Sequence, residues 1–328
     1  MASNTLTPQD CDSQIMNSQF YKDVIAGLGS TPKHLDSKYF YDAAGDKLFQ
    51  DLMSCDEYYP TNCEMEIFTS QTAEICEAMM GNGDAFDLIE LGAGDATKSS
   101  HLLRYLIDNK ADFSYMPIDI SDNVISLLNI TLPVTLPGIN ITGLNGEYFD
   151  MLKKAAAMSN RRKVVMFLGS NIGNMPVADA QEFAKELRRH LSPGDMVFVG
   201  IDLKKSPKTV LAAYNDSEGI TKQFNLNLLH RINRELHGNF NIDNFDHYAV
   251  YDPETGACRS YLISLTQQEV MVGDKLIHFE KDEYIFMEIS QKYTMAQTEE
   301  MAIQAGFKAT AHFTDSKNWF TDAVWLAV

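Results

Sequence analysis

The chain has 328 residues, long enough for two domains or one large elaborated one, and its 45% hydrophobic and 22% charged content supports a substantial core. Acidic residues outnumber basic ones, 45 against 27, for a formal net charge of −18. That charge repels phosphate backbones and anionic lipid, so neither nucleic acid nor a membrane surface is expected as a partner. The densest basic patch, Arg161-Arg162-Lys163, reads as the solvated edge of a strand.

In chain order, residues 1 to about 15 read as disordered, and residues 20–28 predict a short helix ended by Gly29-Ser30-Thr31-Pro32. The next stretch, KYFYDAAGDKLFQDLMSCDEYYPT, is a helical prefix with four tyrosines. Most of its aromatics serve packing, but phenols also suit a site that is apolar in body and hydrogen-bonding at the tip. A helix over residues 63–80 leads to DLIELGAGDATKSSHLLRYL, where an apolar strand stops at Gly92-Ala93-Gly94 and an amphipathic helix follows. Strands then alternate with helices: a strand over 113–120 and SDNVISLLNI, INITGLNGE and YFDMLKKAAAM, KVVMFLGS and the helix of Phe183, Leu187 and Leu191, then DMVFVGIDL. Five such strands imply a parallel, doubly wound sheet.

The rhythm breaks near Lys204. Residues 209–214 and 221–236 read as helical, and HYAVYD, CRSYLISL, QEVMV and KLIHFE as strands of one small antiparallel sheet. A helix over 295–305 resumes the pattern, and FKATAHFTD with AVWLAV form a closing antiparallel pair. The expected fold is α/β: a Rossmann-like sheet whose closing antiparallel pair resembles the edge of the class I methyltransferase seven-stranded sheet, plus a second, smaller α+β domain expected to bind substrate. The expected boundaries are 62–203 with 287–328 for the first, and 15–61 with 204–286 for the second.

Five scattered cysteines with no C-x-x-C spacing argue for reduced thiols and against a zinc site. The polar N-terminus has no apolar signal core, and no run approaches the roughly 18 apolar residues of a membrane span, so a cytoplasmic home is expected. The histidines show no metal-binding spacing, and no metal is expected.

The glycine turn lets backbone amides approach a ligand at a helix N-terminus. Thr97 stands where a dinucleotide site would favour a third glycine, which argues against NAD, and Glu90 before the turn suits the zwitterionic end of S-adenosylmethionine. Asp119, ending the second strand, suits ribose hydroxyls; Glu147-Tyr148, after the third, suits adenine; Lys98 can reach the methionine carboxylate. FLGSNIGN ends the fourth strand, at the edge where open parallel sheets bind ligands, and the residues alone do not separate a site from a turn there.

Here KYFYDAAGDKLF, EYYPT, ELGAGDATK, PIDIS, FLGSNIGN, AAYNDSEGITKQFNLNLLHRINREL and FMEISQKY make the chain resemble the S-adenosylmethionine-dependent histidine N-alpha-methyltransferases, the hercynine-forming enzymes of ergothioneine biosynthesis. The resemblance runs from about residue 20 to the C-terminus. It implies that Tyr41, Gly92, Gly94, Lys98, Asp119, Glu147 and Tyr148 hold S-adenosylmethionine, Glu147-Tyr148 replacing the usual Asp-Phe. It also implies Tyr41 and Tyr58 as the catalytic tyrosines, with Tyr58 beside the reacting amine. Asn174 and Tyr214 would grip the substrate carboxylate, Glu288 and Ser290 would bind the imidazole, and Phe49 would wall the pocket. Where the histidine enzymes carry a methionine at that wall, this chain places Ser260.

The expectation is a monomeric enzyme that takes a small amino-acid substrate and S-adenosylmethionine as methyl donor. Within that class the alternative substrate is tryptophan or another aromatic amine, which Ser260 motivates and Glu288 opposes. A non-catalytic S-adenosylmethionine-binding scaffold has no need of Tyr58, Asn174, Tyr214 and Glu288 together, and a nicotinamide oxidoreductase is opposed by the glycine spacing.

Overall fold

A computed structural model describes residues 15–328; the disorder expected for the first residues, and Cys11, lie outside the described residues. In chain order the strands are β1 (Lys33–His34), β2 (Phe86–Leu91), β3 (Phe113–Asp119), β4 (Leu144–Asn145), β5 (Arg162–Phe167), β6 (Met196–Asp202) and β7 (Phe245–Tyr251). They continue with β8 (Ala257–Ser264), β9 (Gln268–Val272), β10 (Lys275–Phe279), β11 (Tyr284–Gln291), β12 (Phe307–Thr314) and β13 (Phe320–Ala327). The chain divides into two compact units. One is Tyr59–Lys205 with Gln291–Val328, and the other is the residues up to Tyr58 with Ser206–Ser290.

The first unit is built on a seven-stranded sheet in the order β12-β13-β6-β5-β2-β3-β4. Strands β2 to β6 run parallel, and β13 enters antiparallel between β6 and β12. β2 is buried along its whole length and β5 and β6 beyond their first residues, which explains why they read as largely apolar runs. Leucines and alanines of the flanking helices, such as Leu152, Ala184, Leu187 and Ala302, close the core against Ile89, Val165 and Trp325.

Two elements of this unit differ from the sequence-based expectation. The helix expected over 63–80 is two, Tyr59–Ser70 and Thr72–Met80, broken at Gln71, whose side chain donates to the Thr314 carbonyl. The expected third strand shrinks to Leu144–Asn145 and an isolated bridge between Ile141 and Tyr115; Gly143 and Gly146, with no side chain to pack, flank what remains.

At the borders of this unit, Asp202 closes β6, fully buried, and binds three groups. Lys292 lies 2.6 Å away, Lys205 is a second ion-pair partner, and the Tyr59 hydroxyl donates to it at 2.8 Å. Burial alone would push the Asp202 carboxyl up; the two ammoniums reverse this and hold it below the usual carboxylate value. Tyr59, Lys205 and Lys292 stand at or next to the three points where the chain enters or leaves the unit.

The second unit contains a four-stranded sheet, β1-β11-β8-β7, and a separate hairpin, β10-β9. The single antiparallel sheet expected from the sequence is therefore two, and its larger part gains β11 and a short parallel β1. Because β11 pairs inside this sheet, the chain leaves the unit after Ser290 rather than near residue 286, and Glu288 and Ser290 belong to it. The helix Ile220–Glu235 packs Phe224, Leu228 and Ile232 with Phe245, Leu262 and Met287 in one core.

Candidate active site

The sheet unit carries the residues expected to hold the methyl donor. The turn after β2 is left-handed at Gly92, Gly94 and Ala96, with φ of 72°, 52° and 55°. A Cβ on Gly92 would stand 2.9 Å from the Tyr148 hydroxyl, so glycine there permits the tyrosine's approach. Asp119, at the neighbouring end of β3, accepts from the Gly94 amide at 3.3 Å and the Ser121 amide at 2.9 Å. It stays half-exposed, with acceptor capacity left for hydroxyls. Glu147 is exposed at the start of the helix Tyr148–Met158, and the Tyr148 ring lies edge-on to Phe167 at 5.8 Å. Burial, then Asp119 and Glu147, push the Tyr148 phenol up to about 12, so it stays a neutral hydrogen-bonding group. Asn174 ends the short turn Asn171–Asn174 after β5 and is exposed.

Beneath the glycine turn, Glu90 is buried and accepts from the Tyr115 hydroxyl at 2.5 Å. Burial pushes its carboxyl up to about 7, against the lowering effect of that bond.

Lys98 is ion-paired with Glu64 from the helix Tyr59–Ser70, and the other Glu64 oxygen accepts from the Gly169 amide at 2.7 Å. Burial works against the Lys98 charge, but Glu64, Asp322 and Glu90 hold its pKa above the usual lysine value. Glu64 is fully buried, and a Cβ on Gly200 would come within 2.3 Å of its carboxylate, so a side chain there would have to displace Glu64. Asp322, on β13 opposite Gly200, is also fully buried, with no donor to either oxygen among the described residues. Burial first, and Glu64 second, raise its pKa well above the usual value, against the lowering effect of Lys98. Sequence reasoning missed both carboxyls. The available signal was one acidic residue in the otherwise apolar run FTDAVWLAV.

The second unit brings the aromatic residues together. Tyr41 and Phe49 rings meet edge-on at 5.6 Å, Phe49 and Tyr58 at 6.3 Å, and Tyr58 and Tyr214 at 6.2 Å. Phe224, absent from the sequence-based expectation, joins them at 5.6 Å from Tyr41 and 5.8 Å from Phe49. The local fold holds Tyr41 through its neighbour. Asp42 caps the helix Ala43–Met53 by accepting from the Gly45 amide at 2.8 Å, and it also binds Asn227 and Arg234. A Cβ on Gly45 would collide with the Phe40 carbonyl at 1.8 Å, which explains the glycine inside YDAAGDKLF.

Tyr214 is buried and donates to Ser290 Oγ at 2.7 Å. Glu288, half-buried on β11, accepts from Asn225 Nδ2 at 3.3 Å. Ser260 is buried on β8. The unit also has an open groove lined by Leu48, Asp51, Cys55, Glu57, Ser217 and Gln223, among other residues, and it contains none of the expected site residues. Among the described residues no group of three or more histidines, cysteines and carboxylates is placed to hold a metal, and no helix is long and apolar enough to cross a membrane.

A parallel sheet ending in the antiparallel pair β12-β13, with the glycine turn and Asp119 at its carboxyl edge, defines a class I S-adenosylmethionine-dependent methyltransferase. The chain belongs to the family described as histidine-specific, SAM-dependent methyltransferases, whose profile matches residues 20–327. It is 34% identical to the histidine N-alpha-methyltransferase of Mycolicibacterium smegmatis, over 90% of each chain. The histidine N-alpha-methyltransferase of Mycobacterium tuberculosis is 32% identical, over 91% of this chain and 92% of that one. A more distant relative, the L-tryptophan methyltransferase of Psilocybe serbica, is 27% identical over 90% of this chain and 89% of its own.

Proposed function

We propose that this methyltransferase acts on the α-amine of L-histidine and, by successive transfers, forms the trimethylated product hercynine. The observation that carries the reading is Glu288, a carboxylate steadied by Asn225 in the unit that also holds Tyr214, Ser290 and the aromatic chain from Tyr41 to Tyr58. A carboxylate accepts from an imidazole N–H and gets nothing from a phenyl ring, and a buried polar group left unpaired is how a site rejects an analogue.

Gly92, Gly94, Lys98, Asp119, Glu147 and Tyr148 are the residues that would hold S-adenosylmethionine: amides and a cation for its amino-acid end, a carboxylate for its ribose and a ring for its adenine. Their chemistry fits it, since the turn is open at Gly94 and Asp119 has acceptor capacity left. When bound, the sulfonium supplies an already activated methyl group, which leaves alignment of the amine as the main task of the chain. The amine must be neutral to attack, and its proton leaves to solvent or to a water held by a tyrosine. Tyr41, Phe49 and Tyr58 offer ring faces to the growing positive charge. Asn174 and Tyr214 would bind the substrate carboxylate as neutral donors. The Tyr214 proton now serves Ser290, so it must turn to the ligand, which leaves Ser290 able to donate to the ring.

Ser260 favours a second reading, with tryptophan as substrate, because a small wall admits a larger ring. Calorimetry on the enzyme saturated with S-adenosylhomocysteine separates the two. Histidine should bind and tryptophan should bind weakly; the reverse order establishes the second reading, and binding of neither amino acid removes both.

A further inference from the structure

Three acids from three elements of the sheet unit act on the Lys98 ammonium: Glu64 from the helix Tyr59–Ser70, Glu90 from β2 and Asp322 from β13. One ammonium cannot balance three buried carboxylates, so protons must make up the difference. Glu90 has the Tyr115 hydroxyl, and Glu64 accepts from Lys98 on Oε2 and from the Gly169 amide on Oε1. Asp322 differs: it is fully buried, and neither oxygen meets a donor among the described residues. A buried carboxylate without donors is costly, whereas a protonated carboxyl needs only an acceptor. That acceptor is at hand. Gly200 pairs with Asp322 across β6 and β13, and a Cβ on it would lie 2.3 Å from Glu64 Oε1 and 3.3 Å from Asp322 Oδ1. The missing side chain thus leaves the two acids to face each other. Lys98 reaches the other way, its side chain 25% exposed against 1% for Glu64. Its Nζ stands 3.6 Å from where a Gly169 Cβ would be, and Asn171 Nδ2 lies 3.7 Å from that point and 3.6 Å from the Cβ position of Gly92. The ammonium therefore emerges where the turns after β2 and β5 meet, at the ligand edge of the sheet.

We propose that Asp322 holds a proton and donates it to Glu64, so that the two acids form a singly charged clamp that positions Lys98 for the carboxylate of the methyl donor. This rests on the reading of Lys98 as a donor-binding residue. With Asp322 ionised, excess negative charge around Lys98 would repel an incoming carboxylate. With the proton in place, the charge of Glu64 is matched by the ammonium, which keeps N–H groups for the ligand after one is given to Glu64. Burial and Glu64 act on Asp322 in the direction this requires, and Lys98 opposes them. Glu64 and Asp322 are positioning residues: they act on the donor through Lys98.

The test joins infrared spectroscopy to calorimetry with S-adenosylhomocysteine. At about pH 9, where Glu90 has ionised, the wild type should still show the C=O stretch of a protonated carboxyl. Asp322→Asn should lose that band and Glu90→Gln should keep it. Absence of an Asp322-dependent band overturns the proposal. Asp322→Asn retains a neutral donor of the same shape and should bind S-adenosylhomocysteine within about threefold of wild type, whereas Asp322→Leu, with no donor, should bind about tenfold more weakly. Asp322→Leu binding as wild type does, or Asp322→Asn weakened tenfold, overturns the proposal. If Asp322→Leu does not fold, the band and the Asp322→Asn affinity decide the matter. Lys98→Met separates the two claims. Unchanged affinity there removes the donor reading of Lys98 and the clamp's role with it; weakened affinity there beside an unaffected Asp322→Leu keeps the reading and removes the clamp.

Discussion

Replacing Asp202 by asparagine removes the one negative charge shared by two ammoniums in the buried cluster at the borders of the sheet unit. Asp202 and Lys292 are both fully buried and 2.6 Å apart, and the Lys205 side chain is 4% exposed. Solvent therefore screens these groups little, and removing the carboxylate takes the shared ion-pair partner from two neighbouring cations. Breaking a buried pair in this way costs about 3–5 kcal/mol. At roughly 2–4 °C of Tm per kcal/mol, the loss is on the order of 10 °C. Lys205→Met should cost less than half as much, about 2 kcal/mol at most, because Asp202 keeps Lys292 and the Tyr59 hydroxyl and the remaining charges cancel. Thermal unfolding of wild type and both variants by circular dichroism at neutral pH gives the comparison. The Asp202 pKa lies below its ordinary value, so the stabilisation is present above the unfolded-state pKa and is lost as pH falls through the folded one. Asp202→Asn within about 2 °C of wild type, or Lys205→Met the worse of the two, would refute the reasoning.

Three further outcomes are expected. Burial holds the His247 pKa near 4, so below about 6.5 the unfolded chain takes up a proton that the folded one refuses, and roughly 3 kcal/mol of stability should be lost on going from pH 6.5 to 4. Urea unfolding of His247→Leu should show a flatter acid limb, and an unchanged slope contradicts this. Glu90, pushed up to about 7, acts with the opposite sign: the folded chain keeps a proton that the unfolded one releases, so its contribution is lost as pH rises through 7. Glu90→Gln should accordingly gain stability relative to wild type at pH 8 and not at pH 5, and equal differences at both would exclude a raised carboxyl. Lys98→Met should weaken S-adenosylhomocysteine by about tenfold or more in calorimetry, the size of one lost charge-assisted hydrogen bond, and unchanged affinity would remove Lys98 from the donor site.

The sheet was legible in the sequence because its strands are buried on both faces and separated by glycine turns. β2, β5 and β6 are mostly apolar, and GAGD and the closing FKATAHFTD…AVWLAV pair announce themselves. β4 was over-read: INITGLNGE has strand-like residues, but Gly143 and Gly146 leave only two paired residues. Local pattern could not pair β11 with β1, since that pairing joins segments some 250 residues apart. The same holds for the site. Tyr41, Phe49, Tyr58 and Tyr214 were named in advance from recognisable motifs, and the structure gathers them in one aromatic chain. Glu64 and Asp322 carry no motif. Their importance comes from burial and from meeting Lys98 across the fold, which composition and spacing do not encode.

The most direct measurement is mass spectrometry of the product formed from histidine and S-adenosylmethionine, with tryptophan as the parallel substrate. Histidine should gain three methyl groups, all on its α-nitrogen by fragmentation, while tryptophan stays largely unmodified. Methyl groups on tryptophan alone, or on a ring nitrogen of histidine, would contradict the account.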